Sequence, residues 1–308
     1  MTLALDNNDY LSGSIALDMK SIDPPSKAAL YLKALLKVAT KASAKKLFDP
    51  YGFQLDSAAV SPQLLYRYRK LCHFAEGNQL PITLPHLLSF PLQLKIVTDS
   101  RFPTSLIGLV HTKNQISQYR PILNSEDIQI RCALTKTRHN DKGIEFDIET
   151  GVWASGELAW QSLSTNLAPH KANQRTNNKI RNKLSSNTDG NNQLNWMLPK
   201  ALGRQYAMLG GDFNPIHIHS SLARLMGFKG MLIHGMYNKA RCIAELEKKG
   251  FDTRQTLQYE CQFKTPAFLP SEVCLSWEKT EAGVELLLKN SLNNKPHLSG
   301  LISTLHET

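Results

Sequence analysis

YAMLGGDFNPIHIHSSLARLMGFKGMLIHGM, residues Tyr206–Met236, is the stretch on which the fold and the chemistry turn. Its centre sets Asp212, Asn214 and His217 around Pro215. Proline fixes its own φ and biases the preceding residue toward extended geometry. The pattern therefore predicts Asn214 as N-cap, Pro215 as first helical residue and the backbone N–H of His217 as the capped group. Asp212 and His217 are then expected at the same end of the turn, within reach of one small molecule such as water. A carboxylate and a neutral imidazole sharing a water suit general acid–base chemistry near neutral pH. Farther on, His234-Gly235-Met236 opens an apolar helix, which makes the Gly235 N–H available to an anion.

Each feature has a plainer reading when taken singly. Gly-Asp-x-Asn-Pro is a turn signal, and an Asp near a helix start is ordinarily a cap. His217, His219 and His234 with Asp212 suggest a metal set. However, His217 and His219 would face opposite ways in a strand and lie about 200° apart on a helix. No metal and no cofactor is expected. The combination of residues favours a catalytic turn.

The run YAMLGGDFNPIHIH resembles the signature of the MaoC-like, (R)-specific enoyl-thioester hydratases and acyl dehydratases, and the later IHGM is similar to their second hallmark. The resemblance implies an α+β double hotdog: two fused hotdog domains, each a curved antiparallel sheet wrapped around a central helix. It also implies that Asp212 and His217 are catalytic and hold the water, that Asn214 orients the site, and that the Gly235 N–H helps bind the thioester oxygen. His234 and Met236 belong to the same hallmark as candidate substrate contacts. Met236 and Tyr237 are candidates for channel lining, with a plain core role as the alternative. Gly210 stands where many members carry Ser or Thr, a mostly structural position.

The 308 residues suffice for one large or two medium domains. An apolar share of 42% and a charged share of 20% are ordinary for a globular chain. No apolar run is long enough for a membrane span, and the N-terminus has neither a basic leader nor a clean apolar core. The five cysteines (72, 132, 242, 261 and 274) form no close pair, so reduced thiols and a cytoplasmic location are expected. The net charge of +10 comes with no nucleic-acid-binding module, so no nucleic-acid partner is expected. An acyl-CoA, with its phosphates, or an acidic acyl carrier protein would be steered to a basic rim.

In chain order, residues 1–24 read as loosely ordered polar sequence and SKAALYLKALLKVATKASAKKLF (26–48) as a basic amphipathic helix. Together they form an N-terminal extension, residues 1–60. Ser61-Pro62 starts a helix ended by Gly77-Asn78, and LPITLPHLLSFPLQLKIVTDSRFP (80–103) is helical from His86 as the central helix of a first hotdog, residues 61–169. Alternating runs separated by turns, notably Asn140-Asp141-Lys142-Gly143, follow as strands. This half resembles the N-terminal half of double-hotdog members but has no Asp-x-Asn-Pro-x-His. It is expected to shape the acyl and cofactor-arm channel, with His86 and His111 as packing or turn residues. Residues 170–195, rich in Asn, Ser, Lys and Arg, read as a flexible polar linker.

Residues 196–308 form the catalytic hotdog: a strand and turn over 196–209, a short helix over 219–228, a longer helix over 233–249, then four strands. Helix followed by meander occurs twice, as in a duplicated architecture. The expected reaction is reversible addition of water to a 2-enoyl thioester. A hotdog thioesterase and a non-catalytic acyl-binding module are the alternatives, because one fold hosts many functions. Whether one chain or a homodimer forms the working unit is open.

Overall fold

The computed structural model describes residues 19–26, 29–30, 50–102, 108–169 and 192–305. Most of the expected amphipathic helix (26–48) and residues 170–191 of the expected linker lie outside them. In the first half, strands β1 (Met19–Ser21) and β2 (Tyr51–Ala58) precede helices α1 (Pro62–Cys72) and α2 (Leu84–Thr98). Strands β3 (Val110–Gln118), β4 (Ile128–Asn140), β5 (Gly143–Ala154) and β6 (Glu157–Pro169) complete it. The second half begins with β7 (Gln193–Leu198) and helices α3 (Leu202–Gly210), α4 (Pro215–Ile218), α5 (Ser220–Leu225) and α6 (Gly235–Lys248). It closes with β8 (Leu257–Phe263), β9 (Ser271–Thr280), β10 (Gly283–Asn290) and β11 (Pro296–Thr304).

Local chemistry accounts for several boundaries. Ser61 caps α1 by accepting from the Leu64 N–H, with Pro62 at the first helical position. The helix stops at Cys72, short of Gly77, because His73 turns left-handed with φ of 66°. α2 starts at Leu84 and carries Pro91 in its interior. It is apolar almost all round and correspondingly buried, as expected of a central helix. The Asn140 side chain accepts from the Lys142 and Gly143 N–H groups and closes the β4–β5 hairpin.

The strands join one eleven-stranded sheet in the order β1-β2-β4-β5-β6-β3-β8-β11-β10-β9-β7. Each half has the same plan: a strand, a helical stretch, a second strand, then a three-stranded meander that lies between those two strands. β3 and β8 pair antiparallel, from Lys113 opposite Gln262 to Gln118 opposite Leu257, and make the seam. The helices obey the same symmetry: α1 packs on α6 and α3, while α2 packs on α3. The duplicated hotdog architecture is present.

Four segments differ from the sequence reading. Met19–Ser21, expected to be loose, pairs parallel with β2. Tyr51–Ala58, within the stretch assigned to the N-terminal extension, is a strand of the first sheet, because Tyr51, Phe53 and Leu55 alternate into the core. Gln193–Asn195, assigned to the linker, opens β7, and Leu202–Gly210 is a helix where a strand and turn were expected.

The seam is tied from below by a cation. Lys239 of α6 is fully buried, and its Nζ donates to the Asn114 carbonyl (3.0 Å), Asn114 Oδ1 (2.6 Å) and the Tyr259 carbonyl (2.7 Å). Asn114 in turn donates to Ser162 and Ser164. Burial pulls Lys239 down from 10.5 to about 8. Between those values the unfolded chain binds more protons than the folded one, so stability gains with rising pH. The cost of the buried cation is fully present below about pH 8 and gone above about 10.5. The melting-temperature advantage of Lys239→Met over the natural chain, whatever its sign at neutral pH, is therefore expected to fall as pH rises through that window. Parallel melting curves would show that Lys239 titrates as an ordinary lysine.

Candidate active site

α3 ends in Gly211, left-handed with φ of 80°, which swings the chain into Asp212. Asp212 Oδ1 accepts from the Asn214 N–H at 3.2 Å, an Asx turn. Asn214 caps α4 as expected, but its side chain takes the Ile216 N–H at 3.5 Å. The His217 N–H goes instead to the Asn214 backbone carbonyl at 2.9 Å. A Cβ on Gly203 would lie 2.5 Å from the His217 carbonyl oxygen, so only glycine lets α3 come this close to the Asp212–His217 turn.

His217 is buried, and its Nδ1 lies 3.0 Å from the Leu232 carbonyl. A carbonyl can only accept, so Nδ1 carries the proton and Nε2 keeps a lone pair. Burial pushes the imidazole below its ordinary 6.5, and the Asp212 charge opposes that shift. His217 is thus a neutral base beside a carboxylate. His234 stacks on it, with centroids 3.6 Å apart and planes 24° apart. Its Nε2 donates to the Asp212 carbonyl at 3.1 Å and stands 3.6 Å from the carboxylate. Burial first, and then neighbouring His217, lower His234 to about 3, so it too is neutral. Asp212 itself is 29% exposed and faces the cavity.

Asp212, His217 and His234 offer ligand atoms that lie within 4.8 Å of one another. Their fit to a metal ion is poor, because ring lone pairs lie in the ring planes and two nearly parallel stacked rings do not aim at one point. His219 takes no part: it is exposed, and its Nδ1 caps α5 by accepting from the Ser221 N–H.

His234 is the N-cap of α6 and makes no side-chain cap, so Gly235 presents the first N–H of a fourteen-residue helix. A Cβ on Gly235 would meet the Phe263 ring at 2.8 Å, so any larger residue must push that ring aside. Asp212, Asn214, His217, His234, Gly235 and Met236 all line one cavity of about 350 Å³. Tyr237 does not: it is 2% exposed and packs edge-on against Tyr206 at 5.7 Å, so its role is in the core. Helical spacing turns it away from the wall that Gly235 and Met236 share. The sequence reading passed over Phe263 and Gly203, whose importance rests on contacts between distant segments. It also assigned His86 and His111 to packing, yet both line the cavity. A larger groove of about 750 Å³, lined by strand residues such as Lys113, Arg138, Glu260 and Glu285, holds none of these side chains.

Residues 172–290 match the family described as MaoC like domain. The chain is 29% identical over 251 residues to 3-hydroxyacyl-thioester dehydratase X of Mycobacterium tuberculosis, covering 82% of this chain and 88% of that protein. The crystal structure of HtdX from the same organism superposes with a TM-score of 0.72 at 28% identity, over 82% of this chain and 100% of that one. A MaoC-like dehydratase from Phytophthora capsici shares the fold, with a TM-score of 0.65 at 13% identity over 87% of this chain and 99% of that one. This chain therefore carries a MaoC-like domain, in the double-hotdog architecture of the MaoC-like dehydratases.

Proposed function

We propose that the protein is an (R)-specific 2-enoyl-thioester hydratase, equally a 3-hydroxyacyl-thioester dehydratase in reverse, with Asp212 and His217 as its catalytic pair. One observation carries the assignment of roles: His217 Nδ1 is held by the Leu232 carbonyl, which leaves Nε2 as a lone pair in the cavity beside Asp212. In hydration, water held between Asp212 and Nε2 attacks C3 of the enoyl group while Nε2 takes one of its protons. The π electrons move to C2 and charge develops on the thioester oxygen. The Gly235 N–H, reinforced by the helix dipole, faces that charge, and one such donor is worth about 3–4 kcal/mol in rate. The imidazolium then returns its proton to C2 on the same face. The Asp212 carboxylate anchors the water and stabilises the transient imidazolium. Water is added, the double bond is lost, and no cofactor is consumed.

The substrate class is an acyl thioester of CoA or of acyl carrier protein. Lys264 lines the cavity, where burial and then the neighbouring Lys113 charge lower its pKa, so a cation stands on the wall along which a phosphate-bearing arm would pass. Both halves contribute to one cavity, so a single chain can complete the site and a homodimer is not required. Among the described residues no helix is long and apolar enough to cross a membrane. The five free, buried thiols fit a cytoplasmic location. Hydrolysis would need water aimed at the thioester carbon, whereas the pair and the Gly235 donor suit conjugate addition.

Purified protein is expected to hydrate crotonyl-CoA to the (3R)-hydroxy product, scored by chiral analysis; release of free thiol would identify a thioesterase instead. Asp212→Asn and His217→Ala should each lower turnover by about two to four decades with the fold retained. Near-normal rates in both would remove the assignment. Gly235→Ala, which drives a methyl group into Phe263, should cost at least about tenfold in kcat by displacing the oxyanion donor. The imidazole of His217 should titrate below 6.5 by NMR, so the acid limb of kcat/KM lies below that pH as well. Asp212→Asn should move the His217 titration lower still, since the carboxylate is what holds it up. An upward move would contradict the proposed geometry.

A further inference from the structure

The cavity continues past the catalytic pair, between α2 and the first half of the sheet. His86, Phe90, Gln93, Leu94 and Val97 of α2 recur at helical spacing on one face and line it opposite Phe146 and Ile148 of β5. His86 and Gln93 are the polar exceptions on a face otherwise suited to hydrocarbon, and both are buried. Buried polar groups in such a wall are costly unless something bonds to them.

Their hydrogen bonds fix their protons. Ser89 Oγ donates to the His86 carbonyl at 2.8 Å, an atom that can only accept. The Ser89 oxygen must then accept from Gln93 Nε2 at 2.8 Å, which sets the amide the right way round. The same amide nitrogen reaches His86 Nδ1 at 3.5 Å, so Nδ1 accepts and the proton sits on Nε2. Burial keeps His86 neutral, so its Nε2–H stays a donor on a ring that lines the cavity. Beside it, 5.8 Å away and nearly parallel, lies the ring of His111 on β3. That ring bonds to the backbone of Lys113, while its Nε2 is buried and has no partner among the described residues. Burial lowers His111 to about 4, so this second imidazole is neutral and its Nε2 holds a lone pair. His111 in turn packs on Phe263, centroids 4.9 Å apart, the ring that covers Gly235.

We propose that His86 and His111 are a neutral donor–acceptor pair that binds a polar group of the thioester, an amide or a hydroxyl, several bonds from the reacting carbons. The Ser89–Gln93 relay holds His86 in the donor tautomer. The inference rests on the acyl-thioester reading of the cavity. Two parts of such a ligand carry this chemistry: the amides of the pantetheine arm, and an oxygenated acyl chain.

Binding of saturated thioesters, which cannot be hydrated, tests this apart from turnover. Dissociation constants of hexanoyl-CoA, 6-hydroxyhexanoyl-CoA and S-ethyl hexanethioate are measured by calorimetry on the natural protein and on His86→Phe. If the pair reads the arm, His86→Phe weakens both CoA esters about tenfold and leaves the ethyl thioester unchanged. If it reads the acyl chain, only the hydroxylated ester weakens by that factor. Equal affinities throughout, or equal losses on all three ligands, would reduce His86 to packing and overturn the proposal. Nitrogen-15 NMR supplies a readout that does not depend on the Phe variant folding. His86 should show a protonated Nε2 and a bare Nδ1, and Gln93→Glu should draw a proton onto Nδ1. A protonated Nδ1 in the natural protein would equally overturn it. Absence of hydratase activity alongside the expected binding pattern would sink the enzyme and leave this site standing.

Discussion

The bond from His217 Nδ1–H to the Leu232 carbonyl is the constraint on which the site depends. It selects the tautomer of the base, and it is itself held from two sides. The Leu232 N–H donates back to the Ile216 carbonyl, so α4 and the segment before α6 grip each other reciprocally. The flanking residues are pinned as well: the Ile233 N–H donates to the Ala267 carbonyl and the Leu269 N–H to the Met231 carbonyl. A base whose proton position is set by a rigid backbone acceptor loses little to reorganisation when it acts. The same segment delivers His234 and Gly235, so the tautomer of His217, its stacking partner and the first N–H of α6 are positioned by one short stretch of chain.

Duplication gives that stretch its surroundings. Joining β3 to β8 makes the sheet continuous, and Lys239 spends three hydrogen bonds on the two strands of the seam. Its charge is expensive to bury, and three hydrogen bonds to oxygens of Asn114 and Tyr259 offset part of that cost. The first half has no Asp-x-Asn-Pro-x-His run but supplies a wall of the cavity from α2, β3, β5 and β6.

Much of this was legible in the chain itself. The cap at Ser61-Pro62, the hairpin at Asn140–Gly143 and the cap at Asn214-Pro215 are local, because each is decided within four residues by fixed φ or by a side chain returning to its own backbone. The convergence of Asp212 and His217 was readable for the same reason. Tyr237 was not, since which face of α6 meets the cavity depends on where α1 and α3 pack against it. Met19–Ser21 is a three-residue strand, too short to carry a periodicity, and it owes its form to pairing with β2.

The sequence alone therefore determined which residue types meet at the Asp212–His217 turn and that the chain is built twice, because turn chemistry and hydrophobic period are properties of neighbours along the backbone. Tertiary structure decided the rest. That His217 keeps its lone pair on Nε2, that a side chain at residue 235 would displace the Phe263 ring, and that His86 and His111 line the same cavity as Asp212 all depend on groups brought together from segments far apart in the chain. Proton positions and close approaches are set by the partner across the gap, and no local pattern encodes which partner that is.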